Sequence, residues 1–205
     1  MNVIGFDDGP FAPEHRGNVL LVGAVCAGTR LDGVVSGRVR RDGVDSTARM
    51  IELVRQSQFS EHIRAVMLQG IAVGGFNVVD VAELSHELGV PVLVIMRRQP
   101  DLDAVERALF SVTPARRPRV RGADRKWRLI RAAGEIEPLG GTARPRATGL
   151  PRGEQRLWLQ RTGLSLEQAR ALISATTLHG NIPEPLRLAH LIAGGVITGA
   201  SRGRA

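Results

Sequence analysis

The sequence predicts an α/β protein built on one mixed sheet, with antiparallel strands first and parallel strands after them. Three observations predict it. The first forty residues hold three apolar or β-branched runs joined by turn-rich connections, the pattern of an antiparallel meander. Two later apolar runs, 63–68 and 91–96, are separated by a stretch with helical spacing of its apolar residues. A strand–helix–strand succession of that kind demands a parallel crossover.

The chain opens on a short buried strand, Val3, Ile4 and Phe6, which ends in two adjacent carboxylates, Asp7 and Asp8, before Gly9-Pro10 stops it. Side chains alternate along a strand, so Asp7 shares a face with Gly5 and Asp8 takes the other face or the turn. A carboxylate at the end of a rigid apolar strand suits a hard divalent cation. The same pair also suits a turn and its cap. Residues 18–27 (NVLLVGAVCA) form a continuously apolar central strand, and residues 31–39 form a third. A helix follows, with Met50, Ile51, Leu53 and Val54 at helical spacing and Asp45 or Ser46 as its N-cap.

Residues 63–68 are a strand, 69–77 a glycine-rich loop, 78–88 a helix and 91–96 a buried strand. The loop lacks the lysine of a P-loop, which argues against a nucleoside triphosphate site; tight packing or a phosphate cradle both fit its glycines. Arg97 and Arg98 stand at the C-terminal end of the last strand, where open α/β sheets place ligands. A helix starts at Pro100 or Asp101 and runs to Leu109. Residues 127–130 and 157–159 are strands or lie over the sheet. Ser165 caps a helix over 164–175, and Pro183-Glu184-Pro185 opens the last helix. His190 in that helix reads as a buried, hydrogen-bonded side chain rather than a base. The whole is one domain over 1–197, with a basic, less regular segment at 113–160 and a flexible tail at 198–205.

Hydrophobic residues make up 43% and charged residues 23%, the balance of a globular chain. The single cysteine, Cys26, excludes an internal disulfide. No window is long and apolar enough for a membrane span, and no basic, apolar signal opens the chain, so a cytoplasmic location is expected. Net charge is +8, and Lys126 is the one lysine among 28 basic residues. Arginine excess beside an acidic strand end suits a polyanionic partner, and GC-rich coding DNA gives the same bias without one.

Several motifs occur in order: Ile4-Gly-Phe-Asp7-Asp8, Arg41-Asp-Gly-Val-Asp45-Ser-Thr47, Leu68-Gln-Gly-Ile71, Gly75-Phe-Asn-Val-Val-Asp80, Gly89-Val-Pro-Val92 and Pro183-Glu-Pro-Leu-Arg-Leu-Ala-His190. With the order of elements, which describes a ribonuclease H-like sheet, they resemble a mostly archaeal family related to endonuclease V, members of which are described as deoxyuridine endonucleases. The resemblance spans nearly the whole chain. It implies an endonuclease using Mg²⁺ or Mn²⁺ held by carboxylates. Asp7 matches the strand-end aspartate on the metal, and Asp45 the acid at the start of the first helix. Gln69 stands where endonuclease V has a third carboxylate, and an amide supplies an oxygen but no charge. Asp8 or Asp80 are then the acids available to complete the set. Arg97 matches a phosphate-neutralising lysine. The aromatic wedge of endonuclease V is not reproduced as such, since the chain has no tyrosine.

Metal-activated water attack on a phosphodiester follows from such a set. Gly75, Phe76 and Asn77 are candidates for stacking on and bonding an everted base, with Arg97 and Arg98 on the backbone; Asn77 equally suits a helix cap. Three functions remain open: an endonuclease for DNA carrying deoxyuridine or another deaminated base, a ribonuclease for inosine-containing RNA, and a binding protein that no longer cuts.

Overall fold

A computed structural model describes residues 1–112, 120–139, 157–178 and 180–202. The strands and helices run in the order β1 (Asn2–Asp8), β2 (Asn18–Ala27), β3 (Arg30–Arg40), α1 (Ser46–Arg55), β4 (Ile63–Gln69), β5 (Ala72–Val73), β6 (Asn77–Val78), α2 (Val81–Leu88), β7 (Val92–Met96), α3 (Leu102–Phe110), α4 (Ala123–Ala132), β8 (Glu137–Leu139), β9 (Leu157–Thr162), α5 (Leu166–Thr176) and α6 (Glu184–Thr198). Among the described residues seven strands form one sheet in the order β3-β2-β1-β4-β7-β9-β8. The β1–β2 and β2–β3 pairs are antiparallel, β1–β4 and β4–β7 are parallel, and β9 returns antiparallel to β7. The expected meander and parallel crossovers are therefore present. Among the described residues no helix is long and apolar enough to cross a membrane.

Alternation along β1 divides the molecule. Ile4 and Phe6 enter the core beneath α1 and α2, with Met50, Val54 and Leu84. Val3 faces the opposite layer, with Leu172 and Ile173 of α5 and Leu186 of α6. Gly5 lies on that second face. A Cβ added there would come within 2.4 Å of the Pro185 carbonyl carbon and 2.7 Å of the Leu186 nitrogen, so α6 seats directly on the β1 backbone. Gly5→Ala must push α6 off the sheet. It is expected to cost about 3 kcal/mol, the upper end for overpacking, read as a lowered urea midpoint at unchanged slope.

Several boundaries differ from the sequence reading. Residues 127–130 are helical, inside α4, because Ala123, Lys126 and Ile130 are buried at three- and four-residue spacing. Residues 157–159 do form a strand, in β9. The helix expected from Val78 starts at Val81. Val78 pairs with Ala72 in a small hairpin, and the Asp80 side chain caps α2 by accepting from Glu83 N at 3.0 Å. Asp80 is thus the cap of α2 and lies outside the helix expected to contain it. Asp101 caps α3, and Ser165 caps α5 with a capping box to Gln168. In the expected tail, Ser201 donates to the Leu191 carbonyl at 2.6 Å. Residues 113–119 and 140–156, half of the irregular basic segment, and 203–205 lie outside the described residues.

Candidate active site

The parallel strands deliver their C-terminal ends to one rim, and the candidate residues stand along it. Asp7 is 7% exposed. Its Oδ2 lies 2.8 Å from His190 Nδ1 on α6, so with Asp7 ionised the ring donates to it and presents Nε2 outward. His190 is hydrogen-bonded as expected but exposed, not buried, because its side lies beside the apolar stripe of Leu186, Ala189 and Ala193. Sequence reading undervalued it. No spacing in the sequence marked it: α6 seats on the β1 backbone at Gly5 beside Leu186, and one turn on, His190 falls beside Asp7.

Burial pushes the Asp7 carboxyl above its ordinary range, against the opposing pull of His190, by hydrogen bond and by charge, and of the more distant Arg97. Asp8, on the other face, accepts from Gly74 N at 3.1 Å. Its carboxyl is pushed up to about 6, first by burial and then by the neighbouring Asp7 charge. Gln69 ends β4. The register pairs Phe6 with Leu68, which sets Gln69 beside Asp7 on the same face. Gln69 Oε1 is buried and, among the described residues, has no hydrogen-bond partner. Arg97 and Arg98 follow β7 and are exposed.

Asp45 occupies the N-cap position of α1, yet its side chain makes no cap hydrogen bond. The cap is supplied from outside. Asn77, 0% exposed in β6, accepts from Ser46 N at 3.1 Å and donates through Nδ2 to Asp45 Oδ1 at 2.6 Å and to the Arg40 carbonyl at 2.9 Å. Asp45 also accepts from Arg40 N at 3.2 Å. Asn77 is therefore neither a cap for α2 nor open to a base edge, since its amide is engaged on both sides. Phe76 is half-buried and packs on a satellite cluster with Leu109 and Ile130.

The glycine loop closes as a hairpin, with Gly74 and Gly75 at φ +55° and +83°. Its amides serve carboxylates: Gly74 N binds Asp8, and Phe76 N donates to Asp42 Oδ1 at 2.8 Å. Asp42 itself sits at φ +52°, and its carbonyl accepts from Lys126 Nζ at 2.6 Å. Nothing along the chain marked Lys126 beyond its being the single lysine. Arg41 pins the preceding connection through its guanidinium, which donates to the Pro13 and His15 carbonyls.

The chemistry of the donor set tests whether a cation fits. Among the described residues no three His, Cys, Asp or Glu groups converge as a closed metal centre. Asp7 and Asp8 point to opposite faces and Asp80 is spent on its helix. What the strand ends offer instead is the buried Asp7 carboxylate with the orphaned Gln69 oxygen on one face, and Asp8, displaced toward neutrality, on the other. Each is relieved by a hard cation that prefers oxygen ligands, and the residues fit one.

This arrangement has a measurable consequence for the metal-free protein. Between pH 3.8, the ordinary aspartate value, and about 6, folded Asp8 keeps a proton that the unfolded chain has released. Its contribution to stability is therefore fully present below 3.8 and falls as pH rises through this window. Asp8→Asn keeps an acceptor for Gly74 N without the charge. Its melting temperature relative to wild type is expected to rise from pH 4.5 to about 6 in EDTA and to level off above that, and calorimetry at several pH values checks it.

The family profile described as Endonuclease dU matches residues 1–197. A UPF0215 protein of Deinococcus radiodurans is 49% identical over 203 residues, covering 99% of this chain and 92% of its own. The crystal structure of a protein of unknown function from Archaeoglobus fulgidus superposes with a TM-score of 0.76 at 31% identity, covering 96% of this chain and 97% of that one. Endonuclease V of Ciona intestinalis, solved with DNA containing an inosine followed by a ribo-adenosine, gives a TM-score of 0.55 at 13% identity, covering 92% and 82%. At that identity the likeness shows a shared ribonuclease H-like fold.

Proposed function

This chain belongs to the endonuclease dU family, and from that premise we propose that it is a metal-dependent endonuclease that nicks DNA at or near deoxyuridine or another deaminated base, in DNA repair. The observation that carries the reading is the buried Asp7 carboxylate held by His190 at the end of β1, beside the orphaned oxygen of Gln69. Asp7 and Gln69, with Asp8 and Asp45 from the same rim, would hold Mg²⁺ or Mn²⁺. Such an ion lowers the pKa of a bound water and offsets charge on the phosphate.

The side chains supply the rest. His190 Nδ1 is committed to Asp7, so Nε2 is the nitrogen free to take a proton from attacking water. Arg97 and Arg98, exposed just beyond β7, would supply fixed positive charge to a phosphodiester. Asn77 acts indirectly, by fixing the Asp45 carboxylate. Gly75 and Phe76 stay as the contacts for an everted base, and Asn77 leaves that role. The arginine excess holds the backbone, giving affinity that falls with salt.

A second reading, a ribonuclease for inosine-containing strands, is favoured by the ribo-adenosine beside inosine in the Ciona complex. Three end-labelled substrates separate the readings: a duplex with one deoxyuridine, the same duplex with deoxyinosine, and an RNA strand with inosine, each in Mg²⁺, Mn²⁺ or EDTA. Metal-dependent nicking of the deoxyuridine duplex is expected. Cleavage of RNA alone would replace the DNA reading by the second, and binding of all three without cleavage would leave a binding protein.

A further inference from the structure

We propose that the cavity between the β1–β2 connection and the end of α6 is a nucleotide subsite, which takes one unpaired base of the nucleic-acid strand lying on the Asp7–Asp8 rim. The inference rests on the nucleic-acid reading above and adds a site to it. The cavity has a volume of about 270 Å³ and is lined by Phe11, His15, Leu20, Arg38 and Ile197 among others. That is just below the roughly 300–1,000 Å³ of pockets for drug-sized ligands, so it suits one ring system rather than two. Among the described residues its lining combines aromatic and aliphatic walls with one cation, Arg38, and no carboxylate. An apolar slot for a base with a cation for its phosphate is how single strands are gripped without reading sequence.

Position ties the cavity to the rim. Pro10, two residues beyond Asp8, is part of its wall. On α6, Ile197 follows His190 by seven residues, about 10 Å of helix rise. A strand with its phosphate at Asp7 and His190 therefore passes the cavity within a few nucleotides. The wall is also prebuilt. The Arg41 guanidinium carbon lies 5.3 Å from the Phe11 ring centroid, and the same side chain donates to the Pro13 and His15 carbonyls. His15 Nε2 lies 3.0 Å from the Asn18 carbonyl, which closes the loop on itself. Arg41 is next to Asp42, so the connection that walls the cavity and the loop that carries Asp45 share one anchor.

The experiment is a photocrosslinking scan. 5-Iododeoxyuridine is placed at successive positions of a 15-nucleotide strand, in a duplex nicked by the protein, with Ca²⁺ in place of Mg²⁺. One position within three nucleotides of the cut is expected to crosslink to the segment 10–20. Phe11→Leu should lower that yield at least fivefold. Arg38→Gln, at an exposed site that leaves packing intact, should weaken the dissociation constant of the same strand about tenfold. Crosslinks confined to other segments, with binding and nicking retained, would overturn the subsite and leave the nuclease reading standing. No binding or nicking of any strand would remove that reading, and the subsite with it.

Discussion

Asp7→Asn is expected to lower metal-dependent strand cleavage by roughly 10²–10³-fold, the loss seen when one preorganised electrostatic group is removed from a reacting centre, without unfolding the protein. The substitution keeps the shape and keeps an oxygen to accept from His190 Nδ1, 2.8 Å away. It removes the charge, and charge is what burial penalises here, since Asp7 titrates above its ordinary range. At neutral pH the metal-free variant should therefore melt at or above the wild-type temperature. A ligand that binds only the folded state raises the melting temperature, so Mg²⁺ or Mn²⁺ should stabilise wild type more than the variant. Two assays settle it: nicking of a labelled deoxyuridine duplex, and thermal melting with metal or EDTA. A variant that melts lower but cuts normally would place Asp7 in the fold and outside the chemistry.

Asn77→Ala should be the most damaging substitution away from the strand ends. Truncation strands three groups at once: the Ser46 amide, the Arg40 carbonyl and one oxygen of Asp45. Buried groups left without partners cost about 1–3 kcal/mol each, and partial hydration of the exposed Asp45 side reduces the sum. A loss of about 3 kcal/mol is expected, read as a melting temperature lower by roughly 6–12 °C for a chain of this size. Cleavage should fall too, because Asp45 loses the donor that aims it. Asn77→Asp separates the two effects. It retains the volume but sets a carboxylate against Asp45, so it should damage cleavage at least as much as alanine does. Urea denaturation together with nicking assays on both variants reads the two terms independently.

Much of the architecture was legible because it rests on local rules. The strands β1, β2, β4 and β7 are long enough and apolar enough to announce themselves, and the short connections of the meander leave one way to pair them. Asp101 and Ser165 were recognisable as caps because a cap is a contact between a side chain and its own helix. The Val78 boundary was misplaced for a comparable reason. Two β-branched residues before a helix read as helix until a hairpin partner, Ala72, is found for one of them.

The sequence by itself determined the mixed sheet, the family motifs and the delivery of Asp7 and Asp8 to opposite faces at one strand end, because alternation, turn chemistry and helical spacing are properties of neighbours along the chain. Only the tertiary structure decided what those groups do. It set His190 against Asp7 across 183 residues, gave the Ser46 amide to Asn77 while Asp45 keeps the N-cap position, and left Gln69 Oε1 without a partner among the described residues. Lys126 reaching the Asp42 carbonyl is of the same kind. The physical reason is that a hydrogen bond or a desolvated charge depends on which surfaces meet when α4, α6 and the β5–β6 hairpin dock, and no periodicity within a single segment encodes that meeting.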